Sequence, residues 1–343
     1  MAGKRTKGSA GRSPGQIGHA VDLLVLDGFF ASGFSVTLDV LATANVISEA
    51  LGGRAPFRWT TRSLDGRPVR SSAGAVLEVD GEVDDADGHL WMVFGQGMAD
   101  AARVLTDVER PDSRALTARL PDAHARGVTV AASCSSTFLL AEAGLLDDTT
   151  ATTCWWLAPL FRERYPKVDL RADAIVCAHE HVVTAGAAMA QLDLALAIVR
   201  RHAGHEVAHA CARYLVIDDA RVSQAPYLII EHLSRHDEVV ARAERWMAER
   251  LATPIDLRAA ARAVGVSERT LARRFVAATG LAPARFLRRL RIENAARLLA
   301  TTDLPIEQVA ERVGYEDERA FRRAFGRDQR RSPAEYRRAH RSE

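Results

Sequence analysis

Gly265-Val266-Ser267-Glu268-Arg269-Thr270-Leu271-Ala272-Arg273-Arg274-Phe275 returns later in the chain as Gly314-Tyr315-Glu316-Asp317-Glu318-Arg319-Ala320-Phe321-Arg322-Arg323-Ala324-Phe325. Each copy follows an alanine-rich stretch of helical periodicity, residues 257–264 and 306–313, and in each a proline, Pro283 or Pro333, stands eight residues after the last Phe. A short helix, a tight turn at Gly and a second helix bearing arginines is how a helix-turn-helix presents side chains to the DNA major groove. Two such units in one chain imply that one protomer reads two successive grooves.

Apolar spacing supports two small all-helical cores. Leu257, Ala260, Ala261, Val264, Val266, Leu271 and Phe275 fit one, and Ile306, Val309, Ala310, Val313, Tyr315, Phe321 and Phe325 fit the other. Residues 285–299 form an amphipathic helix between them, which would hold the two reading heads at a set spacing. Ser267 reads as the N-cap of the first recognition helix, with Leu271 and Phe275 turned inward. Arg269, Thr270 and Arg273 then face the groove. On the second, Arg319, Arg322 and Arg323 lie outside Phe321 and Phe325. Solvated arginines on a surface helix are the competing reading. For Arg274 and Arg322 both readings stay open; for Arg269 and Arg273 base contact is expected.

Charge agrees with that division. The chain of 343 residues carries a formal +2, yet residues 236–343 hold 23 Arg against 16 Asp and Glu, a net +7 that leaves −5 for the rest. A basic C-terminal part on an acidic body suggests nucleic acid as the partner of that part alone.

The first two thirds reads differently. Residues 20–26, 57–62, 75–79, 89–94, 128–132, 175–177 and 182–184 are strand-like, and helical stretches at 35–51, 99–105, 113–125, 137–143, 155–165 and 187–202 alternate with them. This alternation predicts an α/β fold, a doubly wound, mostly parallel, flavodoxin-like sheet with helices on both faces. The strand at 128–132 runs straight into Ser133-Cys134-Ser135-Ser136 and a helix, the layout of a nucleophile elbow. Four cysteines, Cys134, Cys154, Cys177 and Cys211, are widely spaced with no zinc pattern, so a reducing cytoplasm, no metal and no cofactor are expected. No uncharged apolar run of membrane-spanning length is read. Residues 1–18, rich in Gly, Ser and Lys/Arg, have the composition of a disordered basic tail.

The C-terminal pattern closely resembles the AraC family of transcription regulators over about residues 251–338. The resemblance rests on Arg291, Ala295, Leu298, Leu299, Ile306, Ala310, Gly314-Tyr315, Phe321, Phe325, Ser332-Pro333 and Tyr336-Arg337. One departure is Arg330, where the family usually has a helix-ending Gly as at Gly280. Another is Arg319, where a small or hydroxyl residue is common. Residues 19–216 resemble the PfpI-type, class I glutamine-amidotransferase-like domain through Asp39-Val40-Leu41-Ala42, Ala44-Asn45, the elbow Cys134, residues 140–146, Ala151-Thr152-Thr153, Thr184-Ala185-Gly186 and residues 193–196. The fusion of the two is the layout of GlxA-like regulators.

Enzymes of that broad family supply a Glu after the first strand and a His near the elbow. Here residues 28–38 hold no carboxylate, and Cys154 stands where Ala-Thr-Thr-His-Trp would place the His. Ser136 replaces a common Gly, and His124 and His179 match no family position and read as surface residues. A thiol without a base or cation is not held as thiolate, so no catalytic residue is assigned. Gly95, Gly97, Cys134, Ser135, Cys154 and Trp155 are candidates to line an effector pocket. A redox pair of Cys134 with Cys154, or a thiol-dependent PfpI-type enzyme with a DNA-targeting tail, is the alternative.

The expected plan is therefore a tail at 1–18, an α/β domain at 19–217 for dimerisation and effector binding, a linker at 218–235, and a DNA-binding domain at 236–343. Expected partners are double-stranded DNA, a second copy of the chain, a small-molecule effector and, for an activator, RNA polymerase, with no membrane. Helix 187–200 and the stretch 155–161 are candidate dimer surfaces, each equally readable as core.

Overall fold

The computed structural model describes residues 18–97, 100–218, 221, 223–224 and 237–341. The expected tail lies outside these except for Gly18, as does most of the expected linker.

The first part is built on a seven-stranded sheet. Its order is Val176–His179, Val182–Ala185, Thr129–Ser133, Leu90–Val93, His19–Leu24, Phe57–Ser63 and Gly81–Glu82. All pairings are parallel except the hairpin of the first two strands. The central strands are buried on both faces, so they read as unbroken apolar runs rather than alternating ones. Helices Ala31–Ala50 and Ala190–Tyr214 cover one face, where Leu23, Val40, Leu41, Leu194 and Ile198 share a core. Helices Ala101–Glu109, Pro111–Thr117, Leu120–Ala125, Thr137–Glu142 and Ala158–Arg164 cover the other, around Val104, Leu116, Phe138 and Phe161. Helix Ala31–Ala50 has the length and composition to cross a membrane, but its apolar side lies on the sheet.

Several elements differ from the sequence reading. The stretch 113–125 is two helices, because Pro121 sits in the first turn of the second, where a missing N–H costs nothing. Val76–Leu77 pairs with Val69–Arg70 in a separate two-stranded ladder instead of joining the main sheet. The edge strand Gly81–Glu82 was not foreseen; at two residues it carries no periodicity to read. The helix expected to stop at 202 runs to Tyr214 through a kink at Gly204, φ +88°. Both candidate dimer surfaces are core: Leu194, Ala195 and Val199 are fully buried, as are Leu157, Ala158 and Phe161.

From Glu238 onward the described chain is all helical. Helices Glu238–Ala248, Leu257–Ala263 and Glu268–Thr279 enclose Val240, Met247, Ala260, Leu271 and Phe275, together with Phe286 of the connecting helix Pro283–Thr301. Helices Ile306–Arg312, Glu318–Gln329 and Pro333–Arg341 enclose Val309, Val313, Phe321 and Phe325, with Ile292, Ala295 and Leu299 of the same connecting helix. That helix thus contributes to both cores. At 19 residues it is about 28 Å long.

Candidate nucleic-acid interface and the elbow pocket

Both reading heads are built the same way. Gly265 and Gly314 turn the chain at φ +76° and +81°, a region other residues enter with strain. Gly314 has a second reason: a β-carbon there would collide with the Leu251 carbonyl. The turn of the second copy is one residue longer, which brings Asp317 to the capping position held by Ser267 in the first. The Ser267 hydroxyl accepts from the Thr270 N–H at 3.1 Å and donates to the Thr270 hydroxyl at 2.9 Å. The Asp317 carboxylate accepts from the Arg319 and Ala320 N–H groups.

Counted from these caps, Arg269 and Arg319 are both the second helical residue, and Arg273 and Arg323 both the sixth. The spacing of four puts each pair on one helix face. All four are exposed, and none of them forms an ion pair with another described residue. The remaining candidates are engaged. Arg274 donates from Nη1 to both carboxylate oxygens of Asp237 at 3.1 Å, and Asp237 also caps helix Glu238–Ala248. Arg322 pairs with Glu318 one turn back, at 2.6 Å. The hydroxyls of Ser267 and Thr270 are held by the cap. The pairing of Arg274 had no local signal, since Asp237 lies 37 residues away.

Arg330, where the AraC pattern has Gly, adopts the left-handed conformation a Gly would, φ +54°. The helix therefore ends as in the first copy at Gly280, φ +70°, with strain in place of a glycine.

In the α/β part, Cys134 follows strand Thr129–Ser133 at φ +58°, the strained elbow geometry the sequence suggested. Its N–H donates to the Gly186 carbonyl at 2.8 Å. The close approach of the neighbouring turn needs Gly95, whose β-carbon would crowd the Ser133 carbonyl. Gly95, Gly97 and Cys134 line one recess, with Phe30, Gly33 and Ser133; it measures about 10 Å³, room for about one water. The Ser135 hydroxyl donates to the Gln96 carbonyl at its rim. Cys154 is fully buried and lies next to Cys134; its thiol, with Ser135, draws the Cys134 thiol below its usual range, while burial holds the Cys154 thiol well above it. Trp155 points elsewhere, into a cleft between the two halves of the molecule.

The groups around the elbow are neutral. Thr137 donates to the Cys134 carbonyl and contacts Thr153, and Gln191 accepts from the Ser133 hydroxyl while donating to Thr37. None of these can take a proton from the thiol at neutral pH. His179 is exposed as expected. His124 is half-buried against His181, a correction to its reading as a surface residue. Sequence reasoning missed Gln191 and Gln224. Gln224 donates to the carbonyls of Thr153 and Ala174 and accepts from the Ala187 N–H, so this part of the expected linker lies on the α/β domain.

Two exposed recognition helices behind an α/β domain define the class: a helix-turn-helix DNA-binding regulator. Residues 260–339 match a helix-turn-helix domain family. Residues 19–201, just over half the chain, match the DJ-1/PfpI family, and the chain belongs to it. It is 28% identical over 310 residues to the HTH-type transcriptional regulator GbdR of Pseudomonas aeruginosa, covering 89% of this chain and 79% of that protein. It is 26% identical over 315 residues to the HTH-type transcriptional regulator GlxA of Rhizobium meliloti, covering 90% of this chain and 92% of that one. A crystal structure of an AraC family transcriptional regulator from Pseudomonas putida aligns with 57% of this chain and 99% of its own, at 26% identity and a TM-score of 0.49.

Proposed function

We propose that this protein is a sequence-specific transcription regulator that reads base edges with Arg269 and Arg273 in one major groove and Arg319 and Arg323 in the next. The observation that carries this is the equivalence of the four arginines: the same two helix positions in both heads, exposed and without an ion-pair partner among the described residues. Arginine makes bidentate contacts to guanine and is the commonest specific contact in the major groove. The α/β domain serves as a non-catalytic module that pairs two copies of the chain and responds to a small molecule; the neutral surroundings of Cys134 support this over catalysis. Two copies would present four reading helices to one operator and raise affinity through effective concentration. RNA polymerase is the further partner if the regulator activates. A footprint of the full chain on its own promoter region tests the reading: two protected half-sites, each spanning about two successive grooves, are expected. Protection independent of sequence would overturn it.

The nearness of the Cys134 and Cys154 thiols favours one second reading, a redox pair. Hydrogen peroxide would take two hydrogens from the thiols, leaving a disulfide and two waters. DNA affinity that responds to peroxide in the wild type but not in Cys134→Ser or Cys154→Ser is the expected result. An unchanged wild type ends the reading.

A further inference from the structure

The α/β part meets the first reading head through helix Ala158–Arg164, which packs on the recognition helix Glu268–Thr279. Beside this contact lies an open cleft of about 200 Å³. Its walls come from both halves. Trp155, Arg162, Leu170, Arg171 and Asp173 belong to one, and Gly280, Leu281 and Arg285 to the other.

Three guanidinium groups face this space against one carboxylate. Arg285 reaches Asp173 at 3.4 Å. Arg162 forms no ion pair with a described residue, and its Nη1 is buried without a hydrogen-bond partner. Its guanidinium packs against Gly280, where a β-carbon would collide with it. It therefore sits at the negative end of the recognition helix, a favourable but weak setting for a cation. Burial pushes its pKa down, with the Asp173 carboxylate acting in the opposite direction. The connecting helix begins at the same cleft with no capping side chain and no acidic residue in its first turn, so its positive end is uncompensated. A half-buried guanidinium with an unsatisfied nitrogen and no ion pair to a described residue is costly, and an anion bound here would offset that cost.

We propose that this cleft binds a small carboxylate with an apolar body. Arg162, Arg171 and Arg285 hold its carboxylate, and Trp155, Leu170 and Leu281 pack against the rest. The bound ligand bridges Arg162 of one half to Arg285 of the other and so ties the α/β domain to the end of the first recognition helix. The loop at 170–173 makes the tie consequential. The Asp173 carbonyl also accepts from the Ser223 hydroxyl and the Gln224 N–H, where the chain leaves the α/β domain.

The test is titration of the full chain with benzoate and hexanoate, and with inorganic phosphate for comparison, read by calorimetry and thermal shift. Binding of at least one carboxylate is expected, weakened about tenfold or more in Arg162→Gln and in Arg285→Gln. It is expected to be unchanged in Arg54→Gln, an exposed residue that does not line the cleft. Absence of binding by both carboxylates, equal binding by the Arg162 and Arg285 variants, or phosphate binding as tight as the carboxylates overturns the proposal. Because the two variants lie in different halves, misfolding of one leaves the other to decide. The effect on DNA rests on the regulator reading and is measured separately, as promoter affinity with and without the carboxylate. Binding without any change in DNA affinity keeps the site and refutes the coupling. A carboxylate that binds a chain which fails to recognise DNA refutes the regulator reading alone.

Discussion

Arg273 and Arg274 are adjacent in sequence and separate in role. Arg273→Ala removes an exposed guanidinium from the reading face, and a loss of about 1–3 kcal/mol on the cognate site is expected. Arg274→Ala breaks the pair with Asp237. It should lower stability by about 1 kcal/mol or less and leave the ratio of cognate to scrambled binding unchanged. Gel-shift titrations on both DNAs, with denaturant melts, separate the two; equal losses on both DNAs in Arg273→Ala would make it a phosphate contact. Arg330 offers a gain instead. Its left-handed backbone costs about 1–2 kcal/mol, and part of that is offset because Gly loosens the unfolded chain by about 0.4–1 kcal/mol. Arg330→Gly should therefore raise the melting temperature by the equivalent of about 1 kcal/mol. The departure at this position was visible in sequence. That the backbone would keep the glycine conformation was not, because the packing of Phe325 and Tyr336 around the helix end is tertiary.

At the scale of elements, the caps decide how the arginines are aimed. Ser267→Ala and Asp317→Ala each remove a side-chain acceptor from a recognition-helix start and should cost about 1 kcal/mol of stability. Because Arg269 and Arg319 lie in those first turns, affinity for DNA should fall in both variants. A loss of stability with full DNA affinity in either would show that the cap does not orient its arginine. Helix starts were legible in sequence where a capping residue precedes an apolar period, as at Ser267. The second half of helix Ala190–Tyr214 was not, since Gly204 and the polar His205, Glu206 and His209 dilute the apolar period carried by Val207, Ala208 and Cys211. The short strands at Val69–Arg70 and Gly81–Glu82 were illegible for a simpler reason: two residues show no alternation.

The whole molecule adds a pH dependence that no single element contains. His202, on the long helix, meets His19 and Phe57 on the sheet, with the two imidazoles 4.3 Å apart between centroids. Burial lowers the pKa of His202 to about 4, with the His19 charge acting in the same direction, and burial also lowers that of His19. Both rings are therefore neutral in the fold and take up protons more readily when it opens. Their contribution is complete above the unfolded value near 6.5 and declines as pH falls from there toward 4. Melting temperature should drop over that window, and His202→Gln should flatten the decline. A decline of unchanged steepness in the variant would assign it to other groups.

By itself the sequence determined the two reading heads, their shared core pattern, the α/β alternation and the elbow at Cys134. Each is written in local spacing: a period of 3.6 or a buried apolar run, punctuated by Gly, Pro and a cap. Only the tertiary structure decided that Arg274 is engaged while Arg273 is not, because Asp237 had to be placed beside Arg274. It also decided that Cys154 touches Cys134 while Trp155 faces the other half of the molecule. It alone brought Arg162, Arg171 and Arg285 around one cleft. Those outcomes depend on distances between residues far apart in the chain, and local spacing carries no information about them.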